Sequence, residues 1–157
     1  MIRPTVVGDT PFLLALTKET GVFKPLEVTA LEHVLRDYHA SEQSLGHRAL
    51  TCEVNSRVAG FAYYAPDEMT DRTWHLWWIA VRKGEQARGL GSILLGHVET
   101  DIRHQNGRLL LIETSALPHY ELTRRFYRKH GYEQHAVLKD FYADGDDMVI
   151  FRKRLTS

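Results

Sequence analysis

Between Thr73 and Glu113 the sequence prescribes one supersecondary unit. Thr73–Val81 (TWHLWWIAV) is the most apolar strand candidate in the chain, with two aromatic residues side by side at Trp77 and Trp78. From Gly89 to Asn106, Leu90, Ile93, Leu94, Val98 and Ile102 recur at helical spacing, while Glu99, Asp101, Arg103 and Gln105 fall elsewhere. Asn106-Gly107 ends that helix, and a buried strand, Leu109 to Glu113, follows directly. A strand, a crossover helix and a second strand in this order make a βαβ unit with parallel strands. The apolar first strand is expected at the sheet centre.

The flanking segments extend the sheet by antiparallel pairing. Arg48–Val54 and Val58–Ala65 are β-rich and separated by Asn55 and Ser56, which predicts a hairpin. Pro66 to Arg72 is a polar loop. Near the amino terminus a strand precedes two helices, one with Thr10 as N-cap before Pro11 and one opening at Pro25. Leu31, Val34, Leu35 and Tyr38 share one face of the second, and the two helices should pack by that stripe. Beyond the βαβ unit, Pro118 precedes a helix from about Tyr120 to His130 closed by Gly131, and two strands joined at Asp144-Gly145 complete the chain.

A length of 157 residues with 43% hydrophobic and 25% charged residues predicts a single domain over 1–157 that can close a core without metal or disulfide help. Cys52 is the one cysteine and reads as a small apolar strand residue. Lys+Arg and Asp+Glu are 20 each, and the cations are spread along the chain, which argues against nucleic acid as a partner. MIRPTVVGDTPF has no long apolar leader core, and no run of ~18 apolar residues occurs, so a cytoplasmic protein without a membrane partner is expected. His97 and His104 lie two helical turns apart, ~10.5 Å along the axis, too far to share one ion, and no metal site is expected.

The chemistry concentrates in Gln86-Ala87-Arg88-Gly89-Leu90-Gly91, between the central strand and the amphipathic helix. The first turn of a helix leaves backbone N–H groups without partners and carries the positive end of the dipole, so it can bind phosphate. Gly89 and Gly91 lack Cβ atoms and let an anion approach those amides, although a glycine pair can equally serve only a tight turn. A dinucleotide fingerprint would need a small residue where Leu94 stands, so the Rossmann reading fails. The segment VRKGEQARGLGSILL resembles the pyrophosphate-binding motif of the GCN5-related N-acetyltransferases (GNAT family): glutamine or arginine, two residues, glycine, any residue, then glycine or alanine. Downstream, YELTRRFYRKHGY resembles the aromatic pair and glycine with which that family often ends the second helix of this region, with Phe126-Tyr127 four residues ahead of Gly131-Tyr132.

The resemblance implies an α/β (α+β) fold: a mixed, mainly antiparallel twisted sheet of about seven strands with four helices, splayed between the central strand and the following parallel strand. Acetyl-CoA, as co-substrate, would enter that gap. Backbone groups of Ile79, Ala80 and Val81 would pair with its pantetheine arm, and Gln86, Ala87, Arg88, Gly89, Leu90, Gly91 and Ser92 would hold its pyrophosphate. Tyr120 and Thr123 stand where many relatives have asparagine and alanine, and with Tyr127 they form a hydroxyl stripe left for the cofactor if Leu122 and Phe126 face the core.

For chemistry, Tyr127 matches the family tyrosine that protonates the departing thiolate; the other reading is a boundary tyrosine with its hydroxyl in water. An alkylammonium, pKa ~10.4, must lose a proton before it attacks. Counting back from Gln86 without gaps puts His75 at the position of the family's strand glutamate, as base or as a structural residue. Glu113 near the end of the next strand is the competing base, or simply a solvated charge. The implied activity is N-acetylation of a primary amine by direct attack through a tetrahedral intermediate, on a small-molecule or peptide acceptor, by a monomer or homodimer. A non-catalytic acyl-CoA-binding regulatory module is the alternative. Asp140, Asp144, Asp146 and Asp147 around the last hairpin either attract a cationic amine or only shape the turn.

Overall fold

The computed structural model describes residues 1–156, and for Ala87 the backbone alone. The chain runs β1 (Ile2–Pro4), α1 (Thr10–Glu19), α2 (Pro25–Ala40), β2 (Arg48–Val54), β3 (Arg57–Pro66), β4 (Thr73–Val81), α3 (Leu90–His104), β5 (Leu109–Ser115), α4 (Glu121–Lys129), β6 (Glu133–Ala143) and β7 (Asp146–Arg154). The strands follow the order β1-β2-β3-β4-β5-β7-β6 in one sheet. β4 and β5 pair in parallel, from Thr73 opposite Leu109 to Leu76 opposite Ile112. The β1–β2, β2–β3, β5–β7 and β6–β7 pairs are antiparallel. This is the mixed, mostly antiparallel sheet with four helices that the sequence led us to expect.

Two compact units divide the chain, Met1–Ala65 with Trp78–Thr100, and Pro66–Trp77 with the chain from Asp101 onward. In the first, Leu13 and Leu16 of α1 and Leu31, Leu35 and Tyr38 of α2 bury against Ala49, Phe61, Tyr63 and Ala80 of the strands. Val34 is partly buried at the edge of that cluster, so the predicted α2 stripe is the packed one. The β2–β3 turn places both Asn55 and Ser56 at positive φ, 51° and 61°. Two left-handed residues match the right-handed twist of the flanking strands, which is why so short a loop suffices. Cys52 is buried in β2. Arg3 clamps the start of the chain, with Nη1 2.8 Å from Asp9 Oδ2 and Nη2 3.0 Å from Glu53 Oε1.

In the second unit, α4 packs on β7 through Tyr127, whose ring lies 5.7 Å from that of Phe151 and 6.0 Å from that of Tyr132. The expected inward stripe of Leu122 and Phe126 is not the one used: Leu122 is 77% exposed, while Tyr120, Arg124 and Tyr127 are buried. Arg124 can sit inside because its Nη1 donates to the carbonyls of Ser115 and Leu117, at 2.8 and 2.9 Å, and its Nη2 meets Glu121 Oε2 at 2.8 Å. A buried cation with all these partners is tolerable, so the buried face of α4 is the one carrying Tyr120, Arg124 and Tyr127 and not the apolar stripe. In α3, Leu94, Val98 and Ile102 are buried as their spacing predicted, whereas Ile93 is exposed and Leu95 and Glu99 are buried beside them.

The end of α3 also departs from expectation in detail. Asn106 takes the left-handed conformation, φ 60°, that terminates the helix. Gly107 serves another purpose: a Cβ there would clash with Ile102 Cγ2 and lie 2.9 Å from two atoms of the Trp74 indole. The glycine lets the chain pass close under Trp74 on its way into β5.

Candidate active site

The segment predicted to bind the pyrophosphate begins at the end of β4. Ala80 and Val81 are buried and Ile79 is half-buried. The Arg82 amide donates to the Ala59 carbonyl at 2.7 Å, and a side chain at Gly60 would press on the Ala80 carbonyl at 3.0 Å. Close backbone approach therefore fixes the β4 end. Lys83–Arg88 forms a 3-10 helix where sequence reading left the geometry open. Gly89 closes it in the left-handed conformation, φ 73°, with open space where a Cβ would stand. Glycine takes that conformation with no Cβ penalty, and it delivers the chain directly into α3 at Leu90.

The amides of Leu90, Gly91 and Ser92 open α3, at the positive end of a fifteen-residue helix. Leu90, Gly91 and Ser92 are half-buried, and Gln86, Arg88 and Gly89 are exposed. Gln86 Nε2 donates to the Val81 carbonyl at 3.2 Å, tying the turn to the strand. Arg88 Nη1 lies 3.4 Å from Glu85 Oε2. The predicted contact at Ala87 lies outside the residues whose side chains are described. First-turn amides, an unobstructed glycine and the neighbouring cations Arg82, Lys83 and Arg88 suit a pyrophosphate, so the local chemistry fits the coenzyme named by the motif.

The second unit holds the candidate acid and bases. Tyr127 is 4% exposed, and burial alone pushes its hydroxyl well above the ordinary tyrosine range. The boundary-tyrosine alternative, with the hydroxyl in bulk water, does not describe so buried a side chain. Tyr120 is buried too, and Thr123 is half-buried. His75 lies on β4 opposite Leu111, half-buried, with its ring stacked on Trp77 at 6.0 Å. Its Nε2 is 2.9 Å from Asp67 Oδ2. That hydrogen bond, joined by one from the Met69 amide, holds the Asp67 carboxyl below the usual carboxylate range. Glu113 is exposed on β5, opposite Ile150 of β7.

Asp67 was not singled out in the sequence because it stands in a polar loop eight residues from His75. Its signal was Pro66-Asp67 at the head of a turn, where an aspartate accepts backbone amides. The acidic hairpin gains a conformational account. Asp147 Oδ1 accepts the Asp140 amide at 2.9 Å and Asp140 Oδ1 accepts the Gly145 amide at 2.8 Å. Asp146 is buried against Ser115 Oγ at 2.5 Å. These carboxylates shape the hairpin, as acidic turn residues commonly do. Among the described residues, no three histidine, cysteine, aspartate or glutamate side chains gather to hold a metal, and no helix is long and apolar enough to cross a membrane.

Residues 46–134 match the model of an acetyltransferase (GNAT) domain. An uncharacterized N-acetyltransferase of Methanocaldococcus jannaschii is 30% identical over 105 residues, 65% of this chain and 63% of that protein, so the match spans less than two thirds of the relative's length. A GNAT-family protein from Desulfovibrio desulfuricans superposes with a TM-score of 0.94 at 34% identity, over 99% of both chains. An aminoglycoside 6'-N-acetyltransferase complexed with coenzyme A shares the fold, with a TM-score of 0.77 at 16% identity over 100% of this chain and 98% of that one.

Proposed function

The chain belongs to the GNAT acetyltransferase family, and on that premise we propose that it transfers acetyl from acetyl-CoA to a primary amine. The observation that carries this is Gly89, left-handed and unobstructed, handing the chain directly into α3, whose first-turn amides can bind an anion. The amides from Gly89 to Ser92 hold the pyrophosphate, with Gln86 bracing the turn against Val81. Backbone groups of Ile79, Ala80 and Val81 pair with the pantetheine arm. The co-substrate supplies the acetyl thioester.

In this reading His75 takes a proton from the acceptor ammonium, which frees the lone pair that attacks the thioester carbonyl. An amide of β4 steadies the oxyanion of the tetrahedral intermediate. Tyr127 then hydrogen-bonds and protonates the departing sulfur. Burial raises its hydroxyl above the ordinary tyrosine range, so at neutral pH it carries the proton. The same burial makes it a reluctant acid, so its contribution belongs at the low end of the ~10²–10⁴-fold range. Glu113 is the second candidate for the base. The acceptor is a small-molecule or peptide amine.

Two measurements test the reading together. Coenzyme A at ~100 times its dissociation constant should stabilise the protein by ~2.7 kcal/mol, read as a rise in melting temperature. Thiol release from acetyl-CoA should then depend on an amine, in a panel holding an aminoglycoside, a polyamine and a peptide with a free amino terminus. Stabilisation without turnover on any amine would favour the regulatory module. No stabilisation would remove the cofactor assignment.

A further inference from the structure

We propose that Asp67 is a positioning residue for His75, holding the imidazole so that Nδ1 is the nitrogen that receives the acceptor's proton; this rests on reading His75 as the base. The geometry is local to the second unit. His75 Nε2 stands 2.9 Å from Asp67 Oδ2, and a carboxylate can only accept, so Nε2 carries the proton and Nδ1 the lone pair. Among the described residues no other hydrogen bond reaches this ring, which stacks on the indole of Trp77. Nδ1 is thus left open while Nε2 is engaged.

Asp67 is itself immobilised, as a positioning group must be. Its amide donates to the Thr73 carbonyl at 2.8 Å, its Oδ1 accepts the Met69 amide at 3.0 Å, and its carbonyl accepts the Thr70 amide at 3.2 Å and the Thr70 hydroxyl at 2.9 Å. One carboxylate oxygen is spent on the turn and the other on the histidine. Across the sheet, the residue opposite His75 on β5 is Leu111, and Leu111 stands opposite Arg152 on β7. Glu113 lies two residues along β5 from Leu111. Of the other loop charges, Glu68 is exposed and Asp71 pairs with Arg72 at 3.0 Å. Asp67 is therefore the anion in contact with the ring.

The proton balance is simple. One N–H bond of the acceptor ammonium breaks, its electron pair stays on the amine nitrogen, and an Nδ1–H bond forms on His75. The imidazolium keeps its Nε2–H directed at Asp67, which remains a carboxylate and favours the charged ring.

Asp67→Asn is the informative variant, because an amide oxygen can still accept the Met69 amide and preserve the turn, while the charge is gone. We expect the acid limb of kcat/KM to move to lower pH by about one unit, with KM for acetyl-CoA unchanged. An activity-independent readout accompanies it. In His75→Phe, which keeps a flat ring but cannot donate, the carboxyl carbon resonance of Asp67 should titrate at higher pH than in the parent. An Asp67 titration identical in parent and His75→Phe means that the pair does not form in solution and overturns the proposal. If that titration moves but the acid limb of Asp67→Asn stays in place, while His75→Gln abolishes the limb, His75 remains the base and the positioning role falls. If the limb also survives in His75→Gln, the base lies elsewhere and both readings fall.

Discussion

Replacing Tyr127 by phenylalanine separates a catalytic hydroxyl from a packing ring. The side chain is 4% exposed, and its ring meets Phe151 at 5.7 Å and Tyr132 at 6.0 Å, contacts that phenylalanine retains. Stability should therefore change by no more than ~1 kcal/mol, because the packing ring stays and no hydrogen bond of the hydroxyl to the described residues is lost. Tyr127→Ala, by contrast, should cost ~3–5 kcal/mol through the cavity it opens. If the hydroxyl assists the leaving sulfur, kcat falls ~10²-fold, and at 1.36 kcal/mol per tenfold that is about 2.7 kcal/mol of transition-state stabilisation. Coenzyme affinity should hold, because the ring and not the hydroxyl shapes the packing. Thiol release under saturating acetyl-CoA and acceptor gives kcat, and thermal melts with and without coenzyme A give the rest. A kcat within about twofold of the parent, in a protein that melts normally and still binds coenzyme A, would refute the assignment of Tyr127 as the acid.

Four further outcomes follow from named contacts. Gly91→Val should abolish stabilisation by coenzyme A while leaving the apo protein folded, since a branched side chain enters the space beside the first-turn amides; melting curves with excess coenzyme check it. His75→Gln should remove the acid limb of kcat/KM without large loss of stability, measured as a pH–rate profile beside a melt. Gly107→Ala should destabilise by ~1–3 kcal/mol, because its Cβ would clash with Ile102 Cγ2 and press on the Trp74 indole, and denaturant unfolding reads this directly. Asp9 has its carboxyl held low, first by the hydrogen bond from Arg3. Its share of stability is complete above the unfolded aspartate value near ~3.9 and is lost as pH falls through the lower folded value. Asp9→Ala should accordingly cost ~1.5–3 kcal/mol at neutral pH and flatten the stability profile below about pH 4, as urea titrations across pH would show.

What could be read without coordinates was whatever local chemistry dictates. Strand and helix periods differ, so Thr73–Val81, the amphipathic helix and Leu109–Glu113 announce a parallel βαβ unit, and Gly89 and Gly91 announce a tight turn or an anion site between strand and helix. The α2 stripe was equally legible, because four apolar residues on one face leave a helix little choice of side. Where polar side chains competed for the interior, tertiary structure decided. Arg124 took the inward face of α4 and Leu122 went to solvent, since the carbonyls of Ser115 and Leu117 were placed to receive the guanidinium. No periodicity encodes that, because it depends on where another element ends. Gly107 looked like a helix terminator, yet Asn106 supplies the left-handed residue and Gly107 yields space to Trp74, a neighbour 33 positions away in the chain. The partnership of Asp67 with His75 belongs to the same class. Eight residues of sequence do not reveal that a loop, fastened by its own backbone hydrogen bonds, returns a carboxylate to an imidazole on the strand it has just opened.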